Sequence, residues 1–222
     1  MIAVAIDGPA GAGKSTVARR AAKILGFVYV DTGALYRAIG LYMINHGIAP
    51  VNREAVCAAL SNVSVSLDFQ DGEQKVFLCG SDVTPEIRAE EVSNAASAVS
   101  AIPEVRQFLF SMQRTLAAER NVVMDGRDIG TVVLPNAQVK IFLTASPEER
   151  AQRRYRELLQ KGKKAEYSEV LKDMIQRDYH DSHREVAPLV PAKDSVQIDT
   201  SGNTLEQSIN RVVNVIRSGL KI

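Results

Sequence analysis

Gly8-Pro9-Ala10-Gly11-Ala12-Gly13-Lys14-Ser15 has the spacing GxxxxGK[ST], set between an apolar run and a helical pattern. Glycines at these positions let the chain curl so that backbone N–H groups converge on phosphate oxygens. A helix opening at Lys14 adds its N-terminal partial positive charge. Lys14 is then placed to reach the outer phosphates of a nucleoside triphosphate, and the Ser15 hydroxyl to ligate Mg²⁺. Strand, spacing and helix together argue against a chance glycine turn. A second concentration of chemistry is Asp125-Gly126-Arg127-Asp128, two carboxylates and a guanidinium directly after the apolar run Asn121–Met124. Open parallel sheets bind their ligands at such carboxyl edges. Asp125 is positioned there like an acid that orients Mg²⁺ through water, although an Asp–Arg structural pair would leave the same trace.

Other arginines have spacings that suit phosphate. Arg37 follows Asp31-Thr32-Gly33-Ala34, and Arg106 lies early in a helical pattern. Arg177, Asp181 and Arg184 recur at i, i+4 and i+7, so they share one helical face. Arg177 and Arg184 also fit plain surface charge. Arg150, Arg153 and Arg154 follow Glu148 and Glu149, which fits a solvated, salt-bridged face as well as a phosphate role. His180 and His183 are i, i+3 neighbours without a third ligand pattern and read as exposed helix residues.

The elements that must position these residues alternate. Apolar runs at 2–6, 27–30, 122–124, 139–143 and 196–198 read as buried strands, and helical spacing fills 14–25, 34–45, 52–60, 86–100, 104–119, 147–184 (broken near Gly162) and 205–217. Asn52 is a plausible helix cap. Five continuous apolar strands alternating with helices predict an α/β fold, a parallel sheet covered on both faces. The stretches 63–67 and 75–79 alternate with period two around Asp71-Gly72, which predicts an antiparallel hairpin inserted into the βαβ rhythm.

Composition narrows the function classes. The chain has 222 residues, 45% hydrophobic and 24% charged, with a formal net charge of +1. It is therefore expected neither to coat nucleic acid nor to sit on an anionic membrane, and no run reaches a membrane span. Cys57 and Cys79 lack CxxC spacing and histidine companions, as in a reducing compartment. The first residues are too short and uncharged for a signal segment, and the expected location is the cytoplasm. A GTPase switch would carry NKxD, yet no Asn-Lys pair occurs, and the DxxG match Asp199-Thr200-Ser201-Gly202 falls on the wrong strand. A motor would need coupling domains the chain has no room for. Phosphoryl transfer to a second small substrate remains, with arginines to neutralise two sets of phosphates.

The chain resembles the bacterial cytidylate kinase family. The residues that carry the likeness are 6–14 around the glycine loop, Asp31-Thr-Gly-Ala-Leu-Tyr-Arg37, Asn94-Ala-Ala-Ser97, Asp125-Gly-Arg-Asp-Ile-Gly-Thr131, Lys140-Ile-Phe-Leu143 and Ala187-Pro-Leu-Val-Pro191. They occur in the family order over nearly the whole chain. The resemblance implies a P-loop kinase fold spanning 1–222. Its core would comprise about 1–33, 121–146 and 186–222. The monophosphate-binding region would be about 34–120 with a β-hairpin insert at 63–80, and a helical lid with flanking helices about 147–185. It further implies a monomer that transfers the γ-phosphoryl group of ATP to CMP or dCMP with Mg²⁺.

In that likeness Gly8, Pro9, Ala10, Gly11, Ala12, Gly13, Lys14, Ser15 and Thr16 bind ATP. Thr32, Arg106 and Asp128 read the cytosine, and Arg37 and Arg127 grip the monophosphate. Ser97, Arg177 and Asp181 hold the sugar, and Arg184 reaches the transferring phosphates. The helix around 150–156 would belong to the lid. The family often has Ser at the position of Thr32 and Gly at that of Ser15, so a Ser15 contact to the metal is not general. Alternatives are a UMP- or shikimate-type P-loop kinase, or a non-kinase nucleotide switch.

Overall fold

The computed structural model describes residues 1–70 and 72–222. Strand β1 (Ala3–Asp7) is buried along its whole length, as is β6 (Val122–Gly126), which explains their unbroken apolar runs. With β2 (Val28–Asp31), β7 (Val139–Thr144) and β8 (Val196–Asp199) they form, among the described residues, a five-stranded sheet in the order β2-β6-β1-β7-β8. Every pairing in it is parallel. The register sets Asp31 opposite Asp125, and Asp7 opposite Gly126 on one side and Phe142 on the other. Asp7 and Asp31 thus close their strands, and Asp125 stands one residue before the end of β6, so three aspartates line one edge. The strand order reverses at β1, and the crevice at such a reversal is where parallel sheets bind ligands.

Helices α1 (Lys14–Leu25) and α8 (Leu205–Leu220) cover one face. Val17, Ala18 and Ala21 of the first pack with Ile209, Val212 and Ile216 of the second over Val4, Ile6 and Ile141. A capping box of Thr204 and Gln207 starts α8, and Gly26 in the left-handed region ends α1. On the other face Ala3, Ala5, Val30 and Met124 pack with Ala117, Ile129 and Val133, and in a separate cluster α2 (Thr32–Asn45) is buried on nearly every face, against α4 (Glu90–Val99) and the small sheet. Asn52 caps α3 (Arg53–Ala59), its side chain accepting from the Ala55 amide at 3.1 Å. Helix α5 (Pro103–Glu119) leads into β6, and α6 (Pro147–Gln160) and α7 (Tyr167–His183) lie between β7 and β8.

The inserted antiparallel strands are β3 (Val65–Gln70) and β4 (Glu73–Leu78), paired from Val65↔Leu78 to Gln70↔Glu73. Of the expected Asp71-Gly72 turn, Asp71 lies outside the described residues, while Gly72 has φ +79°. A two-residue strand β5 (Ser81–Asp82) completes this sheet. It is too short for periodicity to reveal. The expected helix over 86–100 is divided: a 3-10 turn at Glu86–Arg88, an extended Ala89, then α4. That break directs Arg88 onto Asp31. A π-helical turn at Ile129–Val133 follows β6, a feature without a period of its own in five residues.

Candidate active site

The glycine loop has the geometry that anion binding requires. Gly8 has φ +148°, and a Cβ there would lie 1.9 Å from the Leu143 carbonyl oxygen, so no side chain fits. Gly13, at φ +83°, occupies the position before α1 and brings no side chain to cap it. The first-turn amides of α1 are left for a ligand. The Lys14 ammonium donates to the Pro9 carbonyl at 2.7 Å. Burial, and then the charge of Arg127, hold its pKa well below the ordinary lysine value.

Arg150 settles an alternative the sequence leaves open. Its side chain is 3% exposed. It donates to Ala145 O at 2.8 Å, to Ala10 O at 3.0 Å, and to both oxygens of Asp178 at 3.1 and 2.6 Å. It therefore braces the loop from α6 and is no solvated charge. Arg153 reaches Glu149 and the Thr200 carbonyl, and Arg154 pairs with Glu157, both half-buried.

At the edge of β6 the parallel register sets Asp125 beside the loop. Ser15 Oγ donates to its carboxylate at 2.9 Å, Tyr29 Oη at 3.0 Å, and Thr32 Oγ1 donates to its carbonyl at 2.8 Å. Burial, reinforced by the neighbouring Asp31 charge, pushes the Asp125 carboxyl up to about 6. Asp7 faces no arginine in this way. Its two oxygens accept from the amides of Ile129 and Gly130, each at 2.7 Å. Burial pushes it up to about 6 as well.

Arginines converge on this edge from five segments, and all but Arg177 are set against a carboxylate. Arg106, 2% exposed on α5, donates to Asp128 through one Nη and to the Ser100 carbonyl through the other, with Tyr36 and Phe110 rings against its guanidinium at 5.7 and 5.8 Å. Arg184 Nη2 lies 3.9 Å from the second Asp128 oxygen. Burial outweighs these cations and leaves the Asp128 pKa raised. Arg127 Nε donates to Asp181 at 3.3 Å. Arg37 and Arg88 share one oxygen of Asp31, at 2.7 and 3.1 Å. The other Asp31 oxygen caps α2 through the Ala34 amide at 3.0 Å. Burial favours a neutral Asp31, but Arg37, Arg88 and that amide outweigh it and hold its pKa below the ordinary value. Arg177 lies among Arg127, Asp181 and Arg37, and burial lowers its pKa. Its Nε and the Nη2 of Arg184 have no hydrogen-bond partner among the described residues.

The residues expected from the sequence therefore gather at one edge, with one looser member. Ser97 joins only through Ser100, whose hydroxyl donates to the Ser97 carbonyl at 2.8 Å and faces Arg184 Nη1 at 3.4 Å. Sequence reasoning missed Asp7, Arg88 and the carboxylate role of Asp31. Asp7 and Asp31 had a signal, an acid closing a buried strand, the same one that drew notice to Asp125. Arg88 had none, because its position depends on the break before α4. His183 stacks on Tyr179, ring centroids 4.0 Å apart, and is exposed.

The family model described as cytidylate kinase matches residues 4–218. The cytidylate kinase of Caldanaerobacter subterraneus is 51% identical over 220 residues, covering 99% of this chain and 96% of its own. That of Streptococcus sanguinis is 52% identical over 202 residues, 90% of each chain. Among solved structures, a gluconokinase from Sinorhizobium meliloti is similar with TM-score 0.50 and 15% identity, over 99% of this chain and 94% of that one. An uncharacterised protein from Eubacterium ventriosum has TM-score 0.55 and 11% identity, over 98% and 99%. At such identities these two speak for the fold alone.

Proposed function

The chain belongs to the cytidylate kinase family, and on that premise we propose how its residues divide the work of transferring the γ-phosphoryl group of ATP to CMP or dCMP. The observation that carries the reading is the gathering of Arg106, Arg127, Arg177, Arg184 and Asp128 beside the glycine loop. Residues Gly8 to Thr16 hold the ATP phosphates. Arg106 orients Asp128, whose free acceptor capacity takes the cytosine amino group, which uracil lacks. Thr32 assists from its place on the Asp125 carbonyl. Arg37 and Arg127 grip the acceptor phosphate, Arg177 and Asp181 the sugar with Ser97 nearby, and Arg184 the group in transfer.

A phosphomonoester has its second pKa near 6, so the attacking oxygen is already largely deprotonated at neutral pH. No general base is needed. The chain's task is to suppress repulsion between two polyanions and to stabilise charge spread over the transferred group. Bidentate guanidiniums suit that geometry. Lys14, released from Pro9, would follow the transferring charge.

The donor set at Ser15 and Asp125 fits Mg²⁺. A hydroxyl and a carboxylate oxygen lie 2.9 Å apart, both hard ligands, and the carboxyl is buried against another acid. When bound, the ion neutralises phosphate charge and polarises the phosphoryl oxygens. The monomer that the family resemblance implies belongs to the same proposal. No helix among the described residues is long and apolar enough to cross a membrane, and we place the reaction in the cytoplasm. Residues 34–120 with the hairpin, and 147–185, are read as the parts that close over the acceptor and ATP. Release of ADP with CMP, dCMP, UMP, AMP and shikimate as acceptors tests the assignment. Turnover with any non-cytidine acceptor equal to that with CMP overturns it.

A further inference from the structure

The geometry points to Asp7 as a positioning residue that ties the ATP loop to the segment reading the acceptor base. It is the last residue of β1, and the glycine loop starts at the next position. Its side chain does not turn into that loop. It crosses to the chain leaving β6, where its two oxygens take the amides of Ile129 and Gly130 at 2.7 Å each. These amides follow Asp128 directly.

The turn they open, Ile129–Val133, has no side-chain cap of its own. The Asp128 carbonyl accepts from Val132 at 2.9 Å and Val133 at 3.1 Å, which closes the turn from within. Its leading N–H groups would be orphaned in a buried place. Asp7 satisfies them from another strand, as a cap supplied at a distance. The fit is tight: a Cβ on Gly130 would lie 3.3 Å from Asp7 Oδ2 and 3.2 Å from Lys140 Cδ.

A carboxylate is needed for this, because two adjacent amides require two acceptors. Asparagine offers one acceptor and one NH₂ group, so one amide would meet a donor. Asp7 is 4% exposed, and no lysine or arginine among the described residues lies within ion-pair distance of it. The two amides hold its charge in place. The backbone at 128–130 is thereby fixed relative to Gly8, and with it the directions of Arg127 and Asp128. Positioning errors near 1 Å can cost about 100-fold in rate, and this link sets the distance between the two substrates.

The inference rests on the acceptor reading proposed above, and the experiment separates the two. Wild-type enzyme and Asp7→Asn are compared for kcat/KM with CMP and with UMP, and for equilibrium binding of ATP alone. A wild type that does not prefer CMP refutes the acceptor reading and the Asp7 link that rests on it, whereas a wild type that prefers CMP beside a variant with the same preference refutes the Asp7 link alone. The preference is the CMP:UMP ratio of kcat/KM, from which the fraction of folded enzyme cancels. The expected result is a fall in kcat/KM for CMP of roughly 100-fold, a fall in the ratio of at least about 10-fold, and ATP affinity within about 3-fold. A lost activity with an unchanged ratio means that Asp7 is merely structural and overturns the inference. Should Asp7→Asn not fold, Gly130→Ala presses on the same contact from its other side. An unchanged ratio in that variant overturns the inference equally.

Discussion

Replacing Arg106 by Met isolates the charge from the packing. Methionine keeps an apolar chain beside the rings of Tyr36 and Phe110, now 5.7 and 5.8 Å from the guanidinium, but it removes the donors to Asp128 and to the Ser100 carbonyl. Asp128 is 4% exposed, and of the Asp128–Arg ion pairs only Arg184 at 3.9 Å is left. Breaking a buried pair from one side costs about 3–5 kcal/mol, against a typical total of roughly 5–15 kcal/mol. Adding Asp128→Asn removes the stranded charge, so the double variant should recover much of the loss, with a coupling of about 2–3 kcal/mol. The pH sign follows from Asp128. Burial already raises its pKa, and loss of Arg106 raises it further, so the folded single variant binds a proton that the unfolded chain releases. Its deficit should shrink as pH falls from about 7.5 to about 5. Urea unfolding of the four proteins at both pH values measures this. A loss under about 1 kcal/mol, or an additive cycle, refutes the buried-pair argument.

Asp125→Asn should stabilise the free protein by about 1–3 kcal/mol at neutral pH, because burial beside Asp31 raises this carboxyl from 3.8 to about 6. That penalty is absent below the unfolded value and complete above the folded one, so unfolding curves of the two proteins should converge near pH 4. The same variant should lose activity at least about 100-fold if Asp125 orients the metal. Arg150→Met removes the brace on Ala10 and should raise KM for ATP by about 10-fold or more while KM for CMP stays within about 3-fold, read by varying each substrate in turn. Gly8→Ala would drive a Cβ to 1.9 Å from the Leu143 carbonyl oxygen, and should cost more than about 4 kcal/mol or leave no folded protein in a thermal melt.

Much of this architecture was legible because its signals are local. The core strands announce themselves as unbroken apolar runs, and helix α1 has the bounds, 14–25, that its spacing predicts. The parallel sheet was expected from unbroken apolar strands alternating with helices, and the antiparallel insert from period-two alternation around Asp71-Gly72. What escaped is what depends on pairs distant in sequence. Arg150 had the look of a surface residue beside Glu148 and Glu149, yet its partners are Ala10 and Asp178, 140 and 28 positions away. Asp7 bonds residues 122 and 123 positions away. Strand β5 and the turn at Ile129–Val133 are too short to carry a period.

In the proposed division of roles, the aspartates at this edge explain how so many arginines can coexist before a phosphate arrives. Guanidiniums cannot lose their charge, and a cluster of them would repel itself in a partly buried place. Asp31 serves Arg37 and Arg88, Asp128 serves Arg106 and Arg184, and Asp181 serves Arg127. With Arg177 and Lys14 added to these five arginines, the cations outnumber Asp7, Asp31, Asp125, Asp128 and Asp181, so the edge keeps positive charge in excess although the whole chain carries only +1. The carboxylates hold each fork in orientation and the excess stays available for phosphate, which is the preorganisation that electrostatic catalysis asks for. An arginine set of equal net charge without the acids would have fewer fixed directions, and its reorganisation would have to be met at the moment of transfer. In the proposed division of roles the acids therefore orient the arginines that attract the polyanions.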